Sequence, residues 1–459
     1  MDFQVVVLAG GSSKNLTPLV SKELPKPLLP VANRPVLTYV LHQLEQSNLK
    51  DLIVVVEGED AALVVGAWIS GTFIDRLHVE IAAVPEDIGT AGAIREISHH
   101  LTTKDILVVS GDLVSDVPPG AVAATHRRHD AAVTATLCSI PVSGPLESGS
   151  SVGKDKAKKL GRYNIIGLDP GKQFLLHIAT GAEIEKDARL PKRILRAVGQ
   201  MEIRSDLMDA HMYAFKRSVL QEVLELKDAF QSLKEDVLPY LVRSQLKSEA
   251  LSNRTPQGEE NGNEKVTSLN NQVFVSRILA NASIPSFHDR SSETPDGSAP
   301  TRKTHKCCAY IASSSSYCVR LNSIQAFMDI NRDVTGEADH LLSGTDPNNN
   351  IGPSPKLGTK TTVGPHSMLG EGSEVGDKCQ VKRSVIGRHC RIGSHVKVVN
   401  SVVMNHVTIG DGCIIQGSVV CSNVQLQDRV VLKDCQVGAG FVVTAGSEYK
   451  AESLARKEK

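Results

Sequence analysis

The sequence predicts an α/β domain built on a mostly parallel sheet, followed by a parallel β-helix. Over residues 1–245 short apolar strands alternate with helical stretches, the pattern of a sheet covered by helices on both faces. Over residues 357–447 apolar side chains recur every 17 positions. Ile386, Val403, Val420 and Val437 form one series, and Val375, Ile392, Ile409, Leu426 and Val443 a second. Val381, Val398, Ile415 and Leu432 form a third. Within each period the steps are six, six and five residues. A helix cannot use that spacing, and strand alternation would not reset so often. A triangular solenoid can, with three short faces per coil and one apolar residue per face turned inward. Three registered series favour it over an ordinary β-sandwich. The residues four places after the anchors, among them Cys379, Val385, Cys390, Val402, Cys413 and Val419, are also small or apolar. Apolar-Gly steps such as Leu369-Gly370, Ile386-Gly387 and Ile409-Gly410 are expected to let the chain turn sharply between faces.

The elements of the first half follow in order. Phe3–Ala9 reads as a buried strand, and 35–46 as an amphipathic helix. Leu52–Glu57, Ile106–Ser110, Ala131–Ile140 and Ala210–Phe215 read as strands, and Ser232–Ser244 as a helix. From 248 to 306 the chain is rich in Asn, Ser, Gly, Pro and Glu, with too few apolar residues to offset ordering entropy. That stretch is expected to be a disordered insert. A strand at Cys308–Ala312 and a helix at Ser323–Asp333, with Ser323 as its cap, return the chain to the fold. The expected domains are therefore 1–335, a linker at 336–356, the β-helix at 357–447 and a tail at 448–459. The coil end after Val443 is thinly capped, and both simple termination and a partner-covered end remain open.

Composition excludes several classes. With 459 residues the chain exceeds one core. Its 51 basic and 51 acidic side chains leave no global field for nucleic acid or an anionic membrane. Asp2 and the short apolar run Val5–Ala9 do not make a secretory signal, and no stretch reaches membrane-spanning length. Nine cysteines without a C-x-x-C pair suggest reduced thiols in the cytosol.

The first strand runs into Gly10-Gly11-Ser12-Ser13-Lys14-Asn15-Leu16, and Pro25-Lys26-Pro27-Leu28 follows. Two glycines at a strand end let the backbone approach a phosphate or base. Gly89-Thr90-Ala91-Gly92 and Val109-Ser110-Gly111-Asp112 come later. In this order the motifs resemble the sugar nucleotidyltransferase family, which joins a nucleoside triphosphate to a sugar phosphate. The resemblance implies a Rossmann-like domain, and a C-terminal β-helix that is left-handed. It also implies a pocket at Gly10, Gly11, Lys26, Gly89, Thr90, Gly92 and Asp112, with Asp112 on a magnesium-binding strand.

Two departures put the chemistry in doubt. The family loop is Gly-x-Gly-Thr-Arg-Leu, whereas here Ser13 stands for the second glycine and Asn15 for the catalytic arginine. Losing one charge-stabilising donor costs roughly a hundred- to a thousandfold in rate. Counting back from Asn331 places Arg320 on the family's second metal-binding aspartate and Asn322 on its glycine. A cation there repels a metal. The pocket is therefore expected to be vestigial, with no catalytic residue, no metal and no cofactor.

A pyrophosphorylase-like domain without its catalytic charges, joined to a β-helix, resembles the gamma and epsilon subunit families of eukaryotic translation initiation factor 2B. Met208-Asp209-Ala210-His211-Met212-Tyr213, where an active enzyme favours Asn-Ala-Gly, resembles the gamma branch. So do Lys234–Gln245 and the coils around Asn400–Met404 and Gln416–Ser422. Epsilon would carry a further helical domain after the solenoid. The resemblance implies an accessory role in GDP/GTP exchange on the G protein initiation factor 2. The implied partners are the epsilon, alpha, beta and delta subunits, with neither nucleic acid nor membrane as a partner. The alternatives are an active enzyme such as a mannose-1-phosphate guanylyltransferase, or a paralogue that binds a nucleotide sugar without turnover.

Overall fold

The computed structural model describes residues 3–11, 14–74, 76–139, 165–179, 199–245, 305–342 and 355–455. The insert expected at 248–306 lies outside them apart from its last two residues, as do Ser12, Ser13 and the middle of the 336–356 linker.

The front half is a seven-stranded sheet. Its strands in chain order are β1 (Phe3–Leu8), β2 (Asp51–Glu57), β3 (His78–Val84), β4 (Asp105–Ser110), β5 (Val133–Ser139), β6 (Leu207–Lys216) and β7 (Cys307–Ile311). Their spatial order is β7-β5-β6-β4-β1-β2-β3. All neighbours are parallel except β6, which runs antiparallel to both β4 and β5. The helices are α1 (Val36–Gln46), α2 (Glu59–Thr72), α3 (Gly89–Glu96), α4 (Pro119–His129), α5 (Arg217–Leu226), α6 (Leu238–Ser244) and α7 (Ile324–Val334).

Strand alternation divides the apolar side chains between two cores. Val6, Ile106, Val108 and Phe215 pack with Ile94, Leu220 and Leu241 on one face. Val5, Val7, Leu107 and Val109 pack with Leu37, Leu41, Leu44 and Ile69 on the other. In α1 the residues Val36, Leu37, Val40, Leu41 and Leu44 repeat at helical spacing and are all buried. The segment expected as one helix from Ser232 is a π-type turn at Leu233–Val237 followed by α6, with Pro239 in its first turn. Ser232 caps the turn by accepting from the Glu235 amide at 3.1 Å. Ser323 caps α7 in the same way through the Ala326 amide, also at 3.1 Å.

From Lys356 the chain winds into coils whose strands stack as three parallel six-stranded sheets. Val375, Val381 and Ile386 point inward, and their equivalents 17 residues on stack above them. Cys379, Cys390 and Cys413 lie in the same core.

Three expectations change. First, the glycines after the anchors do not make the corners. Those corners are left-handed residues further along, such as Lys378, Arg383, His389, His395, Asn400 and His406, with φ between 48° and 59° except Asn400 at 47°. The glycines serve close approach between coils: a Cβ on Gly387 would lie 2.5 Å from the Met404 carbonyl carbon, and one on Gly370 would lie 2.4 Å from the equivalent atom of Gly387. Second, Val385, Val402 and Val419 do not join the solenoid core. They point outward and are buried against the front domain beside Leu16, Leu29, Phe327 and Ile330. Asn33 reinforces that contact by donating to the Ile386 carbonyl at 2.9 Å. Third, the coil continues beyond 447. Glu448–Lys450 and Ser453–Leu454 pair with the strands before them, and Tyr449 and Leu454 continue the anchor series one further period.

Candidate functional site

The sheet order reverses at β1, whose two neighbours were reached by crossovers in opposite directions. Ligand crevices in open α/β sheets form outside the strand ends at such a point. A cavity of about 430 Å³ lies there, lined by Gly10, Gly11, Asn15, Lys26, Glu57, Asp87, Gly89, Thr90, Ser110, Arg320 and Asn322 among others.

Each wall has a local cause. Gly10 follows β1 against the end of β2, where a Cβ would lie 2.7 Å from Glu57 Cγ. Gly89 has φ 71°, and a Cβ there would lie 2.4 Å from the Gln231 carbonyl oxygen. The Ala91 amide donates to that carbonyl at 2.8 Å, and Thr90 Oγ1 accepts from the Leu233 amide at 2.9 Å. The π-type turn thus holds the rim of the cavity. Asn15 lines the wall, whereas Lys14 beside it does not. Gly92 is a correction: it is buried inside α3 against Ile88, where it allows close packing and does not reach the cavity.

Asp112 lies under the cavity floor and is 4% exposed. Lys26 Nζ donates to its Oδ2 at 2.5 Å. Arg320 donates through Nε to Oδ1 at 2.8 Å and through Nη2 to Oδ2 at 3.0 Å. Ser110 Oγ donates to Oδ1 at 2.6 Å. The register of the antiparallel pair Leu113–Ser115 and Cys318–Arg320 fixes this grip, because Arg320 sits opposite Leu113 and the Leu321 amide donates to the Asp112 carbonyl at 2.9 Å. Burial alone would raise the Asp112 pKa, but Arg320 and Lys26 outweigh it and hold the carboxyl well below the usual carboxylate range.

The network extends to β6. Arg320 Nη1 donates to His211 Nε2 at 2.9 Å. Burial is the largest influence on His211 and lowers its pKa to about 3, with Asp209 opposing and Arg320 assisting. His211 is therefore neutral near pH 7 and can accept this bond. It occupies a bulge at φ 54°, a backbone shape that suits glycine. Asp209 holds it there, accepting from the His211 amide at 2.7 Å and from the Tyr213 hydroxyl at 2.5 Å.

Nucleotidyl transfer needs open carboxylates for a divalent cation. This donor set does not fit one: two cations and a hydroxyl already hold both oxygens of Asp112, and the group facing it from the neighbouring strand is the Arg320 guanidinium, not an acid. The other acids on the cavity are Glu57 and Asp87, which the motif reading missed. Burial raises the Glu57 pKa; the Gly11 amide opposes, Asp87 and Glu86 add to the rise, and Lys26 opposes. The place of β1 in the sheet order is the signal that would have found Glu57.

Fold and cavity define a nucleotidyltransferase-like domain followed by a left-handed β-helix. Residues 4–158 match the family model of nucleotidyl transferases. Residues 351–449 match the model of the left-handed β-helix domain of eIF2B subunit epsilon. The chain is 28% identical over 400 residues to translation initiation factor eIF2B subunit gamma of Dictyostelium discoideum, covering 84% of this chain and 87% of that protein. It is 28% identical to the gamma subunit of Schizosaccharomyces pombe over 53% of this chain and about half, 52%, of that one. A mannose-1-phosphate guanyltransferase of Yarrowia lipolytica is 26% identical over 34% of this chain and 43% of its own length. Over most of its length the chain is thus similar to a gamma subunit of eIF2B.

Proposed function

We propose that this chain is a non-catalytic accessory subunit of the eIF2B guanine-nucleotide exchange complex. On this reading it promotes GDP/GTP exchange on initiation factor 2 together with an epsilon subunit, in a cytosolic assembly that also holds alpha, beta and delta subunits. It acts by presenting surfaces, since an exchange factor works by binding the nucleotide-poor state of its target better than the GDP state. The observation that carries the reading is the paired grip of Arg320 and Lys26 on Asp112. It turns the carboxylate that would hold a metal into a structural ion-pair centre. The gamma-subunit relatives support the same assignment. None of the described helices is long and apolar enough to cross a membrane.

The test is release of a fluorescent GDP from initiation factor 2. Release is expected to accelerate with the chain and epsilon together beyond epsilon alone, and not with the chain alone. Pyrophosphate release from GTP and a sugar phosphate is expected to be absent, and to stay absent in Asn15→Arg, because Arg320 still opposes a metal. Turnover by either protein would favour the transferase reading instead.

A further inference from the structure

The solenoid uses outward apolar residues on one face as a docking strip. Val385, Val402 and Val419, each one coil apart, are 0–4% exposed because the front domain covers them. A second face carries a comparable feature that none of the described residues covers. Its strands are Gln380–Lys382, Lys397–Val399, Ile414–Gln416 and Val431–Lys433. Val381, Val398, Ile415 and Leu432 point inward from them, so the flanking residues point out. The outward side chains include half-buried Val399 and Val431, and Ile414 at 39% exposure. Lys397 pairs in register with Ile414, and Ile414 with Val431, so these groups are contiguous.

Beside this apolar centre lie Lys382 and Lys397 on the face, with Lys378 and Arg383 at the corners that bound it. All four are exposed, and none forms an ion pair with a described residue. At the far end of this same face Lys433 pairs with Glu448, and on another face Lys356 pairs with Glu374, each at 2.8 Å. The nearby carboxylate of Asp377 accepts from the Thr359 amide and hydroxyl on the coil edge. Four cations without an ion-pair partner among the described residues, within two coils that stack roughly 4.8 Å apart, make a local positive field in a chain of zero formal net charge.

We infer that this face is a docking site for a folded protein partner whose surface sets carboxylates around an apolar centre. The flat sheet and its branched aliphatic centre favour a protein over a nucleic acid, because the patch has no aromatic platform on which bases could stack. Resting on the function proposed above, the occupant is a subunit of the exchange complex.

The experiment is acylation of surface lysines on the full-length chain, alone and after assembly with the epsilon, alpha, beta and delta subunits. Lys382 and Lys397 are expected to lose reactivity on assembly, while Lys356 keeps it. The Lys382→Glu/Arg383→Glu/Lys397→Glu variant, and separately Ile414→Asp, should weaken association about tenfold at 0.15 M salt. Only the charge variant should also flatten the salt dependence. Assembly with both lysines still reactive overturns the docking face and leaves the functional reading standing. Failure of the unaltered chain to assemble overturns both. Protection by single-stranded RNA without the subunits overturns the protein occupant.

Discussion

Removing either partner of the Asp112 centre has unequal consequences. Asp112→Asn leaves two cations facing each other in a poorly hydrated site, and such a loss costs about 3 kcal/mol. Arg320→Ala leaves Asp112 still neutralised by Lys26, so the cost is that of lost charge-assisted hydrogen bonds, about 1.5 kcal/mol. Urea unfolding of the two variants checks the order. Acid should act through the same network. His211 takes up a proton near pH 6.5 when unfolded but only near 3 when folded, so its contribution is full above pH 6.5 and declines as pH falls toward 3. His126, lowered by burial to about 4, loses stability over much of the same range. Asp112, with its folded pKa depressed, contributes fully above pH 4 and loses that contribution only below it. His211→Asn should therefore reduce the stability loss between pH 6.5 and 4, leaving the parts due to His126 and His129. Much of this site was legible at residue scale, because Arg320 and Asn15 are charge changes inside recognisable motifs. His211 as the acceptor for Arg320 was not. Its role depends on a bulge that brings β6 and the Cys318–Arg320 strand together, and no local spacing records that contact.

Among the elements, the solenoid was the most legible because each coil repeats one rule. Its limits were equally physical. The period continues through Tyr449 and Leu454, but a polar-tipped aromatic among charged neighbours hides the last coil from an aliphatic count. Helix α2 escaped notice for the opposite reason. Its outer residues Leu63 and Val64 are exposed and apolar, so no polar face alternates with the buried Val65 and Ile69. The glycines carry the element-scale prediction. Gly387→Ala places a Cβ against the backbone of the next coil, which cannot move without unstacking. It should destabilise the protein by about 1–3 kcal/mol. His389→Gly, at a corner with φ 53°, relieves an unfavourable backbone shape and should stay within about 1 kcal/mol of the parent despite losing its stack on His406. Thermal denaturation of both variants separates close approach from turning as the reason for glycine. Equal losses would return the glycines to the corner role.

For the molecule as a whole, the decisive contact is the one between its halves. The outward valines of the solenoid, the α7 residues Phe327, Ile330 and Val334, and the loop residues Leu16, Leu19 and Leu29 form one apolar cluster. That cluster, distinct from the two cores on the sheet faces, joins the solenoid to the front domain and keeps it from hanging as a separate rod. It also holds Leu16, the neighbour of Asn15, so the cavity rim and the solenoid share a support. Val402 is 4% exposed at its centre. On an isolated coil the same position would face water, and Val402→Asp would be nearly neutral there. In the intact chain it buries an unpaired carboxylate between the halves, at a cost of about 3 kcal/mol. The solenoid's own core does not include this side chain, so the coils should stay folded while the front domain loses its support. The expected result in calorimetry is that one transition separates into two, with the lower one belonging to the front domain. Limited proteolysis should then release an intact solenoid fragment. A single transition shifted as a unit would mean that the halves fold together through contacts other than this cluster.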